Sequence, residues 1–352
     1  MHLVPTSYND DDVMLLLKDV SGLVDPLPTH EREKRIQSGT HYCEMLPIEY
    51  EPSEKYLQLY DYALKHFAKI TADAIVNVAE KIHDMGKTVL VSLARAGLPA
   101  GIMIKHYLEA KYYDHIYHYG ISIIRGKGID KNAMSYILAR HSPEKIIFVD
   151  GWTGKGAIQN QLKEALSAPE YTGIENHLAV IADPAGITDL CGTHDDFLIA
   201  SSCLNSTVSG LISRTFLRSD IIGPDDFHGA AYYGNLAGKD KSYLFINAIE
   251  KHMLFNAKAS YEQPRTSGLS EVQRIKNQYG ISDINLIKPG IGETTRVLLR
   301  RVPHKILIAK NCDPIYVEHI ITLADEKNVP IEYTEMSNYR CCGLIENMPS
   351  DA

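Results

Sequence analysis

The chain has 352 residues, of which 45% are hydrophobic, and it carries a formal net charge of −8 at pH 7. This length and composition allow two or three domains with buried cores. The negative charge excludes a protein that coats nucleic acid through bulk electrostatic attraction, although a local basic patch is compatible with it.

The opening residues and the cysteines bear on the compartment. The sequence MHLVPTSYNDDDVMLLLKDV has no basic segment before its short apolar run, so it does not have the pattern of a secretory signal. No uncharged stretch approaches the roughly 18 residues of a membrane helix. The six cysteines are scattered except for the adjacent Cys341 and Cys342, which favours neither a disulfide framework nor a metal knuckle. We therefore expect a cytoplasmic protein.

Hydrophobic periodicity predicts alternating strands and helices up to residue 183. Residues 54–85 carry apolar side chains at three- and four-residue spacing, which predicts a long amphipathic helix. Further strands are predicted at 88–93, 115–124, 145–150 and 177–183, and further helices at 97–112, 131–141 and 155–166. This alternation predicts an α/β fold, with a doubly wound, mostly parallel sheet and helices on both faces. Ligands of such sheets bind at the carboxyl ends of the strands. The loops expected at that edge are 93–101, 125–130 and 150–156.

The pattern is less regular from residue 184 to 260. A strand is predicted at 196–202, and helices are predicted around 205–217 and 243–256. Residues 261–282 are polar, with Pro264 and Gly268, and resemble a connector that contains a short helix; strand and helix alternation then resumes. The predicted organisation is an N-terminal extension or hood (1–50), an α/β domain (51–260), a linker (261–282) and a small C-terminal α/β domain (283–352).

Two glycine-rich loops at the predicted sheet edge have the composition of anion sites. In FVDGWTGKGA (148–157) the glycines let backbone amides approach phosphate oxygens, Asp150 can accept hydrogen bonds from ribose hydroxyls, and Lys155 adds a charge. In ARAGLPAG (94–101) the fork of Arg95 suits pyrophosphate. The alternative for both loops is an ordinary turn between a strand and a helix.

This pair of loops resembles type I phosphoribosyltransferases, in which one loop binds pyrophosphate and an acidic strand end with its loop binds the ribose 5-phosphate of PRPP. The resemblance implies displacement of pyrophosphate from C1 of the ribose by a nitrogenous base or related acceptor, with Mg²⁺ held by PRPP and with Asp150 as a candidate ligand. Asp150 matches the first acid of the family fingerprint, whereas Gly151 stands in place of the second. The catalytic residues implied are Asp150 and Arg95. The PRPP-binding residues implied are Ser92, Ala94, Arg95, Ala96, Gly97, Arg125, Lys127, Asp150, Gly151, Thr153, Gly154, Lys155, Gly156 and Ala157.

Two features near these loops have alternative interpretations. The loop SIIRGKGID (122–130) lies where such enzymes carry a mobile hood, so Arg125 and Lys127 either cover the pyrophosphate or belong to a solvated turn. Trp152, the single tryptophan, either packs in the core or stacks on a ring. The segment 225–235 is a candidate lining of the acceptor pocket, assigned by elimination.

The C-terminal segment resembles the Pelota and ribosomal kink-turn-binding superfamily. Its PGIGETTR turn followed by a helix matches that fingerprint, with Gly292 in place of the asparagine. The resemblance implies that backbone amides contact RNA phosphates and that Glu293 accepts from a guanine edge. The RNA-binding residues implied are Lys288, Gly290, Gly292, Glu293, Thr295, Arg296 and Arg300, with Arg301 extending the basic face. The alternative is a helix start with solvated arginines.

With both resemblances taken together, residues 38–350 resemble a bacterial family found with Ter (tellurium resistance) stress-response genes. This family combines a phosphoribosyltransferase-like domain with a Pelota-like domain. This family implies synthesis of a modified ribonucleoside during stress, with structured RNA as a partner. The resemblance to type I phosphoribosyltransferases, which are commonly dimers, implies a homodimer. The Ter-associated family also carries a cysteine-protease label. A thiol hydrolase built on Cys43 with His41, or on Cys191 with His194 and Asp195, is therefore an alternative, as is a non-catalytic nucleotide sensor. A transition-metal site from the histidines is disfavoured by their spacing.

Overall fold

The computed structural model describes residues 2–262, 266–300 and 302–345. Its strands, in chain order, are β1 (Met14–Leu15), β2 (Lys18–Asp19), β3 (Val89–Leu93), β4 (Tyr117–Ile121), β5 (Ile123–Ile124), β6 (Gly128–Ile129), β7 (Ile146–Trp152), β8 (Leu178–Ala182), β9 (Cys191–Thr193), β10 (Gly229–Ala230), β11 (Ile287–Pro289), β12 (Lys305–Ala309), β13 (Ile331–Thr334) and β14 (Cys341–Leu344). The helices are α1 (Thr29–Gln37), α2 (Glu54–Asp84), α3 (Gly97–Tyr112), α4 (Lys131–Leu138), α5 (Ala157–Leu166), α6 (Ser242–Glu250), α7 (Gly268–Gln278), α8 (Ile291–Arg300) and α9 (Pro314–Glu326).

The central element is a six-stranded sheet in the order β1-β4-β3-β7-β8-β9, in which every neighbouring pair is parallel. Alternate residues of β3 point to opposite faces. Leu90 packs in a core cluster with residues of α2 and α3, whereas Val89 and Val91 pack in another with residues of α4 and α5. Helices therefore cover both faces, and the predicted parallel α/β architecture is confirmed at this level.

Close packing fixes one end of α3. A Cβ atom added to Gly97 would lie 2.3 Å from the carbonyl oxygen of Val149, so only glycine lets α3 begin directly against β7. Because β3, β4 and β7 are adjacent and parallel, the loops that follow them lie at one edge of the sheet.

The C-terminal part forms a separate four-stranded sheet in the order β11-β14-β12-β13, with a parallel β12–β13 pair and antiparallel neighbours otherwise. Helix α7, which falls in the predicted linker, packs Val272 and Ile275 into a core with Ile287, Leu307 and Tyr339 of this region. The small C-terminal α/β unit expected from the sequence is thus present.

The irregular middle segment differs from the prediction. Residues 196–202 form no strand and end in a short 3₁₀ turn; the segment is held instead through Asp196, whose two carboxylate oxygens accept backbone N–H groups of the C-terminal part. Residues 205–217 contain a 3₁₀ turn and two isolated β-bridges in place of the predicted helix, since Gly210 and Leu211 have positive φ angles that interrupt a helix. In the described residues, no helix is long and apolar enough to cross a membrane.

Candidate active site

The predicted phosphate loop starts later than expected. Strand β7 continues through Trp152, so Asp150 and Gly151 lie within the strand, where Asp150 pairs with Val180 of β8. Burial raises the pKa of Asp150 to about 7, although a 2.8 Å hydrogen bond from the Gly151 N–H opposes the shift. The carboxyl group therefore stands at the sheet edge with a reduced tendency to ionise.

The remainder of the loop is occupied by contacts to the C-terminal part. The ammonium of Lys155 donates to the carbonyl oxygens of Ile284 and Ile287, both at 2.9 Å. The hydroxyl of Tyr339 donates to the carbonyl of Gly154 at 2.9 Å, and the hydroxyl of Thr153 donates to buried Asp183. Burial, followed by the charge of Lys288, lowers the pKa of Lys155 to about 8. Lys155 thus connects two regions of the chain.

The predicted RNA-binding turn faces this same loop. The N–H of Ile291, at the start of α8, donates to Asp196 at 2.8 Å, and a Cβ atom on Gly292 would lie 3.7 Å from the Trp152 ring. Thr295 is 1% exposed and its hydroxyl lies 2.9 Å from His319 Nε2. Burial raises the pKa of Asp196 to about 6, opposed by the two backbone N–H groups that it accepts.

The other residues assigned to RNA binding occupy mixed positions. Gly290 is buried with φ +86°, Lys288 and Glu293 are half-buried, and Arg300 is exposed. Arg301 lies outside the described residues. These RNA assignments stay predictions.

Arg95 lies in the loop after β3, as expected, but its partners come from the middle segment. It donates to the carbonyl of Ile212 at 3.0 Å and to Asn205 Oδ1 at 3.4 Å. Arg300 of α8 donates to the same Asn205 oxygen at 3.1 Å. Two guanidinium groups from distant parts of the chain therefore meet at one amide.

The other residues of the predicted PRPP site are placed as follows. The hydroxyl of Ser92 is buried and bonded to the Gly97 carbonyl at 2.9 Å and to His118 Nε2 at 2.7 Å. Ala94 is half-buried, Ala96 and Ala157 are exposed, and Gly156 caps α5 with φ +75°. These residues lie along the expected sheet edge, and their assignment to a ligand stays a prediction.

Cys43 and His41 form a hydrogen-bonded pair near the same edge. The sulfur of Cys43 lies 2.9 Å from His41 Nδ1, and the other ring nitrogen lies 3.1 Å from the carbonyl oxygen of Arg125. A carbonyl can only accept, so His41 Nε2 carries the proton and, in the neutral ring, Nδ1 is an acceptor that faces both the thiol and the Cys43 backbone N–H, which it accepts at 3.4 Å. The imidazole is thereby held in the tautomer that a general base for Cys43 requires.

The loop predicted as a hood supplies this orienting contact. Arg125 accepts the hydrogen bond of His41 with its carbonyl oxygen and donates its own backbone N–H to the Tyr42 hydroxyl at 3.0 Å. The side chains of Arg125 and Lys127 are exposed. Burial raises the pKa of Cys43 to about 11; nearby Glu44 raises it and Lys127 lowers it. Cys43 is therefore a thiol at neutral pH.

The second cysteine–histidine pair has a different geometry. The sulfur of Cys191 lies 3.5 Å from His194 Nε2 and 3.8 Å from Nδ1. A sulfur that lies along the lone pair of one ring nitrogen is far from the other nitrogen. The Cys191 sulfur is almost equally close to both nitrogens, so it packs against the ring. His194 Nδ1 is 2.8 Å from the Asp183 carbonyl oxygen, to which it can donate. Burial raises the pKa of Cys191 to about 12, and the charge of Asp183 raises it further.

Asp183, Cys191 and His194 are also the one candidate metal cluster within the described residues, with one ligand atom from each within 4.8 Å of the others. The Asp183 carboxylate, however, already accepts the Thr153 hydroxyl and the N–H groups of Ile187 and Thr188. Its oxygens are satisfied by the protein, so this cluster is better explained as a structural network.

Comparisons with known proteins define the two regions. A model of the family described as tellurite-like stress resistance cysteine protease StiP matches residues 6–250, and a Pelota RNA-binding domain model matches residues 266–347. The chain thus joins a StiP-type region to a Pelota-type region. The protein named cysteine protease StiP from Acinetobacter baylyi is 34% identical over 364 aligned residues, which cover 97% of this chain and 94% of that protein. No solved structure matches. The chain belongs to the StiP family.

These comparisons correct the functional prediction. PRPP-dependent phosphoribosyl transfer, and with it the classification as a glycosyltransferase, is wrong, because the matched family and the relative are both described as cysteine proteases. The stress-resistance family and the Pelota domain are confirmed. The expected Mg²⁺ depended on PRPP and stays untested, as do the homodimer, the domain boundaries and the cytoplasmic location.

Several residues of this region were not found from the sequence. Asn205 lies in the irregular middle segment, as does Arg214, whose guanidinium carbon is 5.7 Å from the centre of the Tyr42 ring, and Asp183 directly follows β8 without an obvious motif. The group that orients His41 is a backbone carbonyl, which no residue type can signal. The proximity of His41 to Cys43 was visible, but its hydrogen-bond direction was not.

Proposed function

We propose that the protein is a cysteine hydrolase acting on peptide bonds, with Cys43 as nucleophile and His41 as general base. The observation that carries this proposal is the 2.9 Å contact between the Cys43 sulfur and His41 Nδ1, in a ring whose other nitrogen is bound to the Arg125 carbonyl. The membership of the StiP family supports it. Cys191 lacks an in-line imidazole nitrogen and is assigned a packing role.

The chemistry follows from the protonation states. Because the pKa of Cys43 is raised to about 11, the proton leaves the thiol as the sulfur attacks the peptide carbonyl carbon, and His41 accepts it. When the C–N bond breaks, the imidazolium returns this proton to the amine leaving group. Water, activated by His41, then hydrolyses the thioester and regenerates the thiol.

Access to the sulfur requires a local displacement. Cys43 is 0% exposed, so a substrate reaches it only when a covering segment moves. A cavity of about 400 Å³, lined in part by Thr40, Glu44 and Met45, lies beside the residues that flank the dyad. This cavity is large enough for part of a peptide chain.

The test compares two buried cysteines of the same chain. We expect Cys43→Ala to abolish cleavage of fluorescently labelled casein by the full-length protein, whereas the matched Cys191→Ala variant retains it. Thermal unfolding of both variants checks that they are folded. Full cleavage by Cys43→Ala, or its loss in Cys191→Ala alone with the fold intact, would reject Cys43 as the nucleophile.

We also propose that residues 266–347 bind RNA. The support is the match of this segment to the Pelota RNA-binding domain. The turn at 290–293 packs against the StiP-type region, so contacts to RNA come from the faces that this packing leaves open, including the exposed Arg300. Retention of a structured RNA by the full-length protein in a filter-binding assay is the expected result, and its absence at low salt would reject RNA binding.

A further inference from the structure

Five arginines from both regions of the chain converge outside the cysteine–histidine pair. Arg32 comes from α1, Arg95 from the loop after β3, Arg214 from the middle segment, and Arg296 and Arg300 from α8. We call this group the arginine cluster. Four of its members are half-buried and Arg300 is exposed, so the cluster has a half-buried end and an end that is open to solvent.

The positions of these arginines are held by the protein. Arg95 and Arg300 both donate to Asn205 Oδ1, at 3.4 and 3.1 Å, which brings one guanidinium from each region to a single point. The guanidinium carbon of Arg214 lies 5.7 Å from the centre of the Tyr42 ring. Folding therefore gathers like charges and orients them, rather than leaving them dispersed in solvent.

The gathered charges repel one another. Burial, then Arg95, Arg32, Arg300 and Arg296, lowers the pKa of Arg214 to about 10. Burial and then Arg300 lower the pKa of Arg296 to about 10, with Glu293 opposing the shift. Among the described residues, no carboxylate forms an ion pair with Arg95, Arg214, Arg296 or Arg300. The acids near the cluster are Glu33 beside Arg32, Glu293 beside Arg296, and Glu49, which accepts the Ser206 N–H at 3.0 Å. The five arginines therefore outnumber the three acids around them.

Polar groups beside the cluster also lack partners within the described chain. The hydroxyls of Ser206 and Thr207, which follow Asn205, are buried without a hydrogen bond, as is Nε of Arg32. Unsatisfied buried donors and excess positive charge at one place are the features of a site that a compact anion completes.

We propose that the arginine cluster binds a terminal phosphate or polyphosphate group, and that its source is the 5′ end of an RNA strand held by residues 266–347. The proposal rests on the RNA binding proposed above. Planar guanidinium forks match phosphate oxygens in pairs. An internal phosphodiester carries one charge and is flanked by sugars, whereas a terminal phosphate carries more charge and can enter the half-buried end of the cluster. Two of the five arginines lie on α8, which belongs to the Pelota-type region, so the cluster adjoins the segment proposed to bind RNA.

The test uses the full-length protein and one short RNA prepared with a 5′-hydroxyl, a 5′-monophosphate or a 5′-triphosphate. We expect the phosphorylated ends to bind at least tenfold more tightly than the hydroxyl end in fluorescence anisotropy. Arg214→Gln and Arg95→Gln should remove this preference while leaving binding of the hydroxyl form. Arg140→Gln, which alters an exposed arginine of the first region, should preserve it.

The folded state is checked in the same variants. Because Arg214→Gln removes repulsion, its melting temperature should be unchanged or higher, so a loss of preference cannot be attributed to unfolding. Equal affinity for the three RNA ends would overturn the assignment to an RNA terminus.

Two further measurements distinguish the 5′ end of RNA from other ligands of the arginine cluster. Stabilisation by inorganic pyrophosphate or ATP, lost in Arg214→Gln but without any preference among RNA ends, would assign the cluster to a free phosphate compound instead. Displacement of RNA by an oligoglutamate peptide at equal concentration would point to a protein partner and reject the phosphate site. If no RNA binds while pyrophosphate still stabilises the protein, RNA binding fails and the phosphate site stands.

Discussion

The two cysteine–histidine pairs of this chain have similar residues and opposite surroundings. Cys43 faces a ring nitrogen at 2.9 Å, and the opposite nitrogen is fixed by a carbonyl; Cys191 lies nearly equidistant from both nitrogens of His194, and a buried carboxylate stands nearby. Both sulfurs are almost completely buried. The difference teaches that proximity of thiol and imidazole does not define a reactive pair; the direction of the nitrogen lone pair and the sign of neighbouring charge do.

The largest expected effect separates the two histidines. His41→Gln should reduce proteolysis by at least about 100-fold, because general base catalysis typically contributes 10²–10⁴-fold. His194→Gln should leave the rate within a few-fold, since that ring serves packing and a hydrogen bond. Initial rates of casein cleavage measure both. Equal losses in the two variants would remove the distinction between the pairs.

The next effect concerns the carboxylate beside Cys191. Asp183→Asn should lower the free energy of unfolding by about 1–3 kcal/mol, because an amide accepts at one end only: with its oxygen toward the N–H groups of Ile187 and Thr188, its nitrogen faces the Thr153 hydroxyl that now donates to the second carboxylate oxygen. Urea unfolding measures the change. The exposed Asp189, changed to Asn, is the matched control and should have little effect. A stable Asp183→Asn variant with lost proteolysis would instead make Asp183 a catalytic residue.

The smallest effect is in the reactivity of the two thiols. A raised pKa means a small thiolate fraction at neutral pH, and this fraction grows tenfold per pH unit below the pKa. Because the pKa is raised further for Cys191, to about 12, than for Cys43, to about 11, iodoacetamide should alkylate Cys43 faster than Cys191, and both rates should rise from pH 7 to 9. Peptide mass spectrometry follows each site. Faster labelling of Cys191 would contradict the assigned environments.

Periodicity in the sequence was sufficient for much of the fold. The helix predicted at 97–112 is α3 with the same bounds, and the predicted strand 88–93 is β3 within one residue, because long apolar periods and buried β-branched runs are strong signals. The edge strands β1 and β9 have two and three residues, too few for any period. The middle segment is organised by contacts distant in sequence, and local pattern gave wrong elements there.

The candidate site was less accessible to sequence reasoning. Gly-rich composition at 150–156 suggested a phosphate loop, yet the same backbone freedom there allows close packing against another part of the chain. The arginine cluster takes its members from five segments, so only the folded chain brings them together. A resemblance in loop composition therefore proved less informative about activity than the family to which the whole chain belongs.

Lys155 has a consequence for how the two regions could have been inherited. Its ammonium is accommodated by two carbonyl groups, of Ile284 and Ile287, that belong to the other region. A relative that lost its C-terminal region would leave this cation over an uncovered loop, without the acceptors that offset its desolvation. A lysine at position 155 is thus expected in related sequences that keep the segment with its two carbonyl acceptors, and to be replaced in those that lack this segment.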